Sequence, residues 1–167
     1  MKELENALAQ RKGITMVEFF WIIKGKMAGS DFPTLEELED LYRSQGIRIL
    51  VPLQERDDLA KIRALGYLVH PMFVEDFTPP GLSQLEDFCR LVDNPEGKPV
   101  LAHCWGGYGR TGTVLAAYLI RSEGLSVEEA VARVRAIRPH SVETKTQLDM
   151  LERYVGYLKE LNQFANP

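Results

Sequence analysis

Residues 99–120 constrain the fold of this chain more than any other stretch. They begin with a short apolar run from Pro99 to Ala102, continue through a loop with glycine at positions 106, 107 and 109, and end in an apolar run from Val114 to Ile120. The first run has the length of a buried strand, and the second is typical of a buried helix. The pattern therefore predicts a strand, a tight loop and a helix, in the order that builds α/β folds.

The loop between these two elements has the composition of an anion-binding site. Glycine permits positive φ angles and close approach of the backbone, so successive N–H groups can point inward at the start of the following helix. Cys104 lies at the entrance of the loop, and Arg110 follows six positions later. Because the same field stabilises a thiolate, we expect Cys104 to be a nucleophile at neutral pH. Arg110 offers a planar, permanently charged fork for two phosphate oxygens.

Two other interpretations of the loop fit the residues less well. A nucleotide-binding loop of the Walker type ends in Gly-Lys-Ser or Gly-Lys-Thr, and the sequence contains neither triplet. A buried structural cysteine beside a tight turn needs no arginine at the end of the loop. The residues therefore favour a phosphate-binding loop that carries a reactive thiol.

The pattern that runs from His103 and Cys104 through five residues to Arg110 and Thr111 resembles the signature of cysteine-dependent protein tyrosine phosphatases, in particular the small dual-specificity branch with its archaeal members. The resemblance implies a hydrolase that releases phosphate from phosphoproteins through a phosphocysteine intermediate. It makes Cys104 and Arg110 catalytic residues. The phosphate-binding residues are then Trp105, Gly106, Gly107, Tyr108, Gly109 and Arg110.

Thr111 and Gln147 also gain roles from this resemblance. Thr111 would donate a hydrogen bond to the Cys104 sulfur and ease its departure, although a threonine here also suits the first turn of a helix. Gln147 lies where relatives keep a glutamine near the pocket. However, Thr144-x-x-Gln147 is also a capping box for the last helix, and we favour this structural interpretation.

A general acid is expected elsewhere in the chain, because a thiolate displaces an alcohol from phosphorus only if the leaving oxygen is protonated. Asp76 is the best candidate, since it lies in a proline-rich loop after a predicted strand at residues 67–70. The resembling phosphatases carry Asp-Phe-x-x-Pro about thirty residues before the cysteine, and Asp76 to Pro80 matches this pattern. Two alternatives stay open: Glu75 as the acid, and Asp76 as a turn-capping residue.

The remaining histidines and cysteines indicate no second mechanism. Neighbouring residues at a strand end point to opposite faces, so we expect His103 to support the loop backbone and not to deprotonate the thiol as in a Cys-His protease. Two cysteines and three histidines show no metal-ligand spacing, so neither a metal nor a cofactor is expected. Cys89 is expected in a buried helix, with a role in resolving oxidised Cys104 as the alternative.

Length and periodicity predict the architecture. A chain of 167 residues with 45% hydrophobic composition can bury one core, so we predict one phosphatase domain over residues 1–167, with residues 1–15 as an N-terminal extension. Alternating strands and helices predict an α/β fold with a mainly parallel central sheet flanked by helices. The predicted elements are a hairpin around Gly25, a strand at 47–53, a helix that begins at Ser126, and helices at 34–45, 57–65, 82–92 and 144–162.

Charge and length bear on partners and compartment. The net charge is −4 and the basic residues are scattered, so neither nucleic acid nor a membrane surface is an expected partner. Two cysteines, without a signal peptide or a membrane-spanning run, are typical of a cytoplasmic protein. The chain is too short for the insertions that deepen strict tyrosine phosphatases, which predicts a shallow pocket for phosphotyrosine, phosphoserine and phosphothreonine.

Other functions remain as alternatives. Phosphatases of this superfamily that act on phosphoinositides place lysines in the loop, and residues 105–109 contain none, so a phosphoprotein is favoured over a non-protein phosphoester. A non-catalytic phosphoprotein-binding module would be expected to lack the thiol, the arginine or the acid. A redox sensor could use the same reactive thiol. For the enzyme, phosphate and vanadate are the expected active-site ligands.

Overall fold

The structure, a computed structural model, describes residues 16–165, and the extension predicted at residues 1–15 lies outside them. Its centre is a five-stranded sheet in the order β1-β2-β5-β3-β4. The first two strands form an antiparallel hairpin, and the other neighbouring pairs are parallel. The strands are β1 (Phe19–Ile23), β2 (Met27–Ser30), β3 (Ile49–Pro52), β4 (Leu68–Val69) and β5 (Val100–His103).

Helices flank the sheet, which confirms the predicted α/β class. They are α1 (Leu35–Ser44), α2 (Leu59–Ala64), α3 (Leu82–Val92), α4 (Gly109–Glu123), α5 (Val127–Ile137) and α6 (Lys145–Ala165). The predicted capping boxes form at Thr34 and at Ser126, where each hydroxyl accepts a hydrogen bond from the N–H of the glutamate three residues later. None of the helices within residues 16–165 is both long and apolar enough to span a bilayer.

Two apolar clusters cover the two faces of the sheet. Along β5, Val100 and Ala102 belong to the larger cluster, while Leu101 belongs to the smaller one, because neighbouring side chains of a strand point to opposite faces. The larger cluster includes residues of α3, α4, α5 and α6, and the smaller one includes residues of α1 and α2. Helix α4 is buried from Gly109 to Ile120, so the loop before it is anchored in the centre of the molecule.

Several predicted elements are shorter than expected, among them the strand predicted at residues 47–53, which spans Ile49–Pro52. Two of the differences have local reasons. The strand predicted at residues 67–70 reduces to Leu68–Val69, but the chain beyond it stays along β3, as the N–H of Met72 donates to Pro52 O and that of Val74 to Leu53 O. The helix predicted at residues 57–65 begins at Leu59, and Asp58 makes no cap because its carboxylate binds an arginine.

The strand order sets where the functional loops meet. Ser30, Pro52 and His103 are paired in register at the carboxyl ends of β2, β3 and β5. The loops that follow these three strands therefore share one edge of the sheet. Open α/β sheets bind ligands at this edge.

Candidate active site

The loop between β5 and α4 wraps its backbone around the Cys104 sulfur. The N–H of Gly107 donates to Cys104 Sγ at 3.2 Å, and only 3% of Cys104 is exposed. Gly107 has a φ of +74°, and a Cβ at this position would lie 2.7 Å from backbone atoms of Ser30 and Asp31. Glycine is therefore required for both the conformation and the space. The thiol lies at the N-terminal end of a buried helix, where an anion is stabilised.

Arg110 lies in the first turn of α4 and is 2% exposed. Its Nη1 donates to Gln54 Oε1 and to Val74 O, each at 2.9 Å. Its Nη2 lies 3.1 Å from Asp76 Oδ1. The Nε atom is buried and has no hydrogen-bond partner within residues 16–165. A buried donor without a partner is costly, so Nε is a position for an oxygen of a bound anion.

Asp76 reaches the active site from the proline-rich loop. Its Oδ1 contacts Arg110 and accepts a hydrogen bond from Phe77 N at 2.9 Å, and about half of the side chain (53%) is exposed. Glu75 takes part in the same loop through its carbonyl oxygen, which accepts from both the N–H and the hydroxyl of Thr78, and its side chain is exposed. The structure thus brings the carboxylate of Asp76 to Arg110.

His103 contacts the phosphate loop from behind. Arg56 Nη1 lies 3.1 Å from His103 Nε2, and His103 Nδ1 lies 3.1 Å from Cys104 O. A guanidinium can only donate, so Nε2 accepts and Nδ1 carries the proton that binds the Cys104 carbonyl. Burial lowers the pKa of His103 to about 4, so the ring is neutral at physiological pH. Both ring nitrogens are therefore occupied away from the sulfur.

Comparison with known proteins agrees with this geometry. The family described as "Polymorphic toxin system, DSP-PTPase phosphatase" matches residues 25–124. The chain belongs to this dual-specificity phosphatase family. Mouse "Protein tyrosine phosphatase domain-containing protein 1" is 39% identical over 176 aligned positions, which cover 91% of this chain and 23% of the relative. The chain spans about a fifth of the length of the curated relatives it matches.

Solved structures of phosphatases share the fold. Tk-PTP in its active form is 35% identical, with a TM-score of 0.78 over 85% of this chain and 99% of that one. PTPMT1, solved in complex with PI(5)P, is 20% identical, with a TM-score of 0.79 over 86% and 98% of the two chains. The predicted resemblance to small dual-specificity phosphatases is thus confirmed.

Thr111 and Gln147, to which the resemblance gives roles in the site, make different contacts from those that it implies. The hydroxyl of Thr111 is buried and has no hydrogen-bond partner in the described part of the chain, so the donation to Cys104 Sγ that we predicted is not formed here. Gln147 is fully buried, and its Oε1 accepts from Glu143 N at 2.9 Å and from Thr144 N at 3.2 Å. Gln147 therefore caps α6, as its structural interpretation predicts.

The loop that carries Asp76 is tied to the start of α6. Gln147 Nε2 donates to Thr78 O at 3.3 Å, and Thr144 Oγ1 donates to Phe77 O at 3.2 Å. The capping residues of α6 thus also hold the chain on the C-terminal side of Asp76. A capping box in the sequence indicated the helix start but not this second contact.

Sequence patterns missed four residues that support the site: Gln54, Arg56, Asp58 and Arg138. Arg56 is held by the Asp58 carboxylate at 2.6 and 2.8 Å. Arg138 Nη2 donates to Gly106 O at 2.8 Å, and its guanidinium lies 4.0 Å from the centre of the Tyr108 ring. Only Gln54 had a usable signal, since it follows the strand next to β5. The contacts of Arg56 with His103 and of Arg138 with Gly106 join segments that are distant in the sequence, and the nearby Asp58 has a role only because it holds Arg56.

The outer side of the phosphate loop faces solvent. Trp105 is 67% exposed, while its carbonyl oxygen accepts a hydrogen bond from Phe32 N at 3.0 Å.

The second cysteine, Cys89, is buried in α3 as predicted, with its sulfur 3.5 Å from the Tyr154 hydroxyl. Burial raises the pKa of Cys89 to about 11, which keeps this thiol protonated and unreactive.

Proposed function

We propose that this chain hydrolyses phosphate monoesters of proteins, both phosphotyrosine and phosphoserine or phosphothreonine, through a phosphocysteine intermediate. The observation that supports this most is the meeting of three groups at one sheet edge. Cys104 lies in the anion-binding loop, Arg110 begins the helix after it, and Asp76 lies 3.1 Å from the guanidinium. A nucleophile, an anion-binding cation and an acid are the set that this reaction needs.

In the proposed first step, the Cys104 thiolate attacks phosphorus in line with the leaving group. A sulfur–phosphorus bond forms as the bond from phosphorus to the alcohol or phenol oxygen breaks. Asp76 gives its proton to that oxygen, so the product leaves as a neutral alcohol. In this step Asp76 is the general acid, and about half of its side chain (53%) is exposed and accessible to a substrate.

In the proposed second step, water hydrolyses the phosphocysteine. Asp76, now a carboxylate, takes a proton from the water as its oxygen attacks phosphorus, and the sulfur leaves as a thiolate. We propose that the hydroxyl of Thr111, the residue after Arg110, turns toward the sulfur once negative charge develops there. The unpaired state of that hydroxyl leaves it free to do so.

Arg110 and the loop N–H groups would stabilise both transition states. The proposed donors are the N–H groups of residues 105–109, of which that of Gly107 points at Cys104 Sγ, and the Nε of Arg110, which has no partner in the described residues. Gln54 and the Val74 carbonyl hold the guanidinium in place through Nη1. Preorganised donors of this kind need no rearrangement during the reaction.

The main alternative is a phosphatase for a non-protein phosphoester. PTPMT1 was solved with PI(5)P, but at 20% identity it shares only the fold with this chain. The loop here carries Trp105 and Tyr108 and no lysine, which favours a protein substrate over a polyanionic lipid.

A reducing compartment such as the cytoplasm is proposed from the two free thiols of Cys89 and Cys104.

Hydrolysis of p-nitrophenyl phosphate across pH, with reductant and without added metal, tests the proposal. We expect Cys104→Ser to abolish turnover and Asp76→Asn to lose the alkaline limb of the pH profile, while Glu75→Gln keeps it. If Glu75→Gln lost that limb and Asp76→Asn kept it, the acid would be Glu75. Turnover by Cys104→Ser at the wild-type rate would overturn the mechanism. If the wild type released no phosphate at any pH, the alternative function, a non-catalytic phosphoprotein-binding module, would be favoured.

A further inference from the structure

A groove of about 590 Å³ opens beside the phosphate loop, and the mechanism above does not use it. A volume of this size accommodates a long side chain. Two of its walls are exposed aromatic rings, Trp105 at 67% and Phe73 at 41%. Other lining residues are Phe32 and the exposed acidic residues Glu55 and Asp57.

The groove begins next to the phosphate site. Trp105 directly follows Cys104, and Glu55 directly follows Gln54, whose amide oxygen accepts a hydrogen bond from Arg110 at 2.9 Å. The groove and the phosphate site therefore have walls from the same two segments of the chain, residues 54–55 and 104–105. A peptide whose phosphorylated side chain is seated over Cys104 can therefore place a neighbouring side chain in this groove.

The groove carries negative charge. Its one cationic wall residue, Arg56, is neutralised by Asp58, is 1% exposed and lies 4.4 Å from the centre of the Phe32 ring. Within residues 16–165, neither Glu55 nor Asp57 forms an ion pair. Two unpaired carboxylates beside two exposed rings are a set that attracts a cation by charge and by cation–π contact.

We propose that this groove binds a lysine or arginine side chain of the substrate, from a residue close in sequence to the phosphorylated one. The inference rests on the proposed function and narrows its substrate class. The phosphate site attracts a dianion and the groove attracts a cation, so together they fit a phosphorylated residue with a basic neighbour. An inositol lipid that carries further phosphates would bring them against Glu55 and Asp57, which disfavours such a substrate.

Three phosphotyrosine peptides test this inference. They are identical except for the residues that flank the phosphotyrosine, which are lysine in the first peptide, alanine in the second and glutamate in the third. We expect kcat/KM of the wild type to be roughly tenfold higher for the lysine peptide than for the glutamate peptide, and the ratio to shrink in high salt. In the Glu55→Gln/Asp57→Asn double variant, the ratio should fall to about twofold or less. Each rate is normalised to that enzyme's own p-nitrophenyl phosphate turnover.

The matched control is Glu152→Gln/Glu160→Gln, which removes the same charge from two exposed positions of α6. It should keep the wild-type preference for the lysine peptide. Equal kcat/KM for all three peptides, or an undiminished ratio in the groove variant, would overturn the inference and leave the phosphatase in place. If the wild type hydrolysed neither the peptides nor p-nitrophenyl phosphate, the proposed function itself would fail.

Discussion

Arg110 shows how one side chain joins the parts of this site. Its Nη1 donates to Gln54 after β3, its Nη2 contacts Asp76 in the loop after β4, and its Nε has no hydrogen-bond partner in the described residues. Because the guanidinium is 2% exposed, its charge is weakly screened and acts strongly on a bound phosphate. One side chain therefore links the segment after β3, the loop that carries Asp76 and the position for a bound anion.

Gly107 tests the close packing of the phosphate loop. We predict that Gly107→Ala destabilises the fold by about 3 kcal/mol or more and abolishes phosphatase activity, because φ is +74° and a Cβ would lie 2.7 Å from the backbone at Ser30. Gly46→Ala is the matched control, since Gly46 also has a φ of +74° but no atom within 4 Å of its Cβ position. This control should cost only about 1–2 kcal/mol. Equal losses in thermal unfolding of the two variants would contradict the argument.

His103 predicts how stability depends on pH. Its folded pKa of about 4 lies below the ordinary value of 6.5, so between these pH values the unfolded chain binds more protons than the folded one. Stability from this group is present above pH 6.5 and is lost as the pH falls toward 4, by up to about 3 kcal/mol. Urea unfolding at pH 7 and pH 4.5 should show a larger loss for wild type than for His103→Asn. Parallel losses in the two proteins would refute this role of the buried imidazole.

At the scale of elements, the start of α6 is predicted to control the acid loop. Gln147→Ala removes the hydrogen bond to Thr78 O, so Asp76 should be held less well. The acid matters most for poor leaving groups, so we expect kcat/KM for phenyl phosphate to fall about tenfold more than that for p-nitrophenyl phosphate. Ser126→Ala removes a helix cap far from the site and should cost about 1 kcal/mol of stability with no change in the ratio. If Gln147→Ala left the ratio of the two kcat/KM values unchanged, the cap of α6 would have no effect on catalysis by Asp76.

Helices and strands could be predicted from the sequence where the signal lies within a few neighbouring residues. Helix α3 has the predicted bounds, and the capping boxes at Thr34 and Ser126 form as the sequence indicates. The strand predicted at residues 67–70 spans only Leu68–Val69, although the chain beyond it continues to form hydrogen bonds along β3. The supporting residues Arg56 and Arg138 were missed, since their partners, His103 and Gly106, are 47 and 32 residues away. Local spacing contains no information about such contacts.

For the molecule as a whole, strand order places the parts of the site. The carboxyl ends of β2, β3 and β5 lie in register, and the loops after β3 and β5 supply Gln54 and Cys104 to the same edge. The sequence predicted a parallel sheet with the cysteine loop at such an edge. It did not predict that β2 would border β5 and fix the space available to Gly107.

Binding of an anion to this edge should stabilise the entire fold. At about 100 times its dissociation constant, vanadate or phosphate should add about 2.7 kcal/mol, because only the folded chain presents the site. For a chain of this size, that is a rise in Tm of roughly 5–11 °C. We expect the rise in wild type and its loss in Arg110→Met, measured by thermal unfolding with and without vanadate. The same rise in Arg110→Met would place the anion elsewhere.

The formation of a phosphocysteine at Cys104 is the central claim. Wild type would be mixed with p-nitrophenyl phosphate, quenched in acid on the millisecond scale, and analysed by intact mass and peptide mapping. We predict one added phosphoryl group per chain on the peptide that contains Cys104, together with a burst of p-nitrophenol, and neither of them in Cys104→Ser. Turnover by wild type without any trapped phosphoryl group, or a phosphoryl group on another residue, would contradict the mechanism.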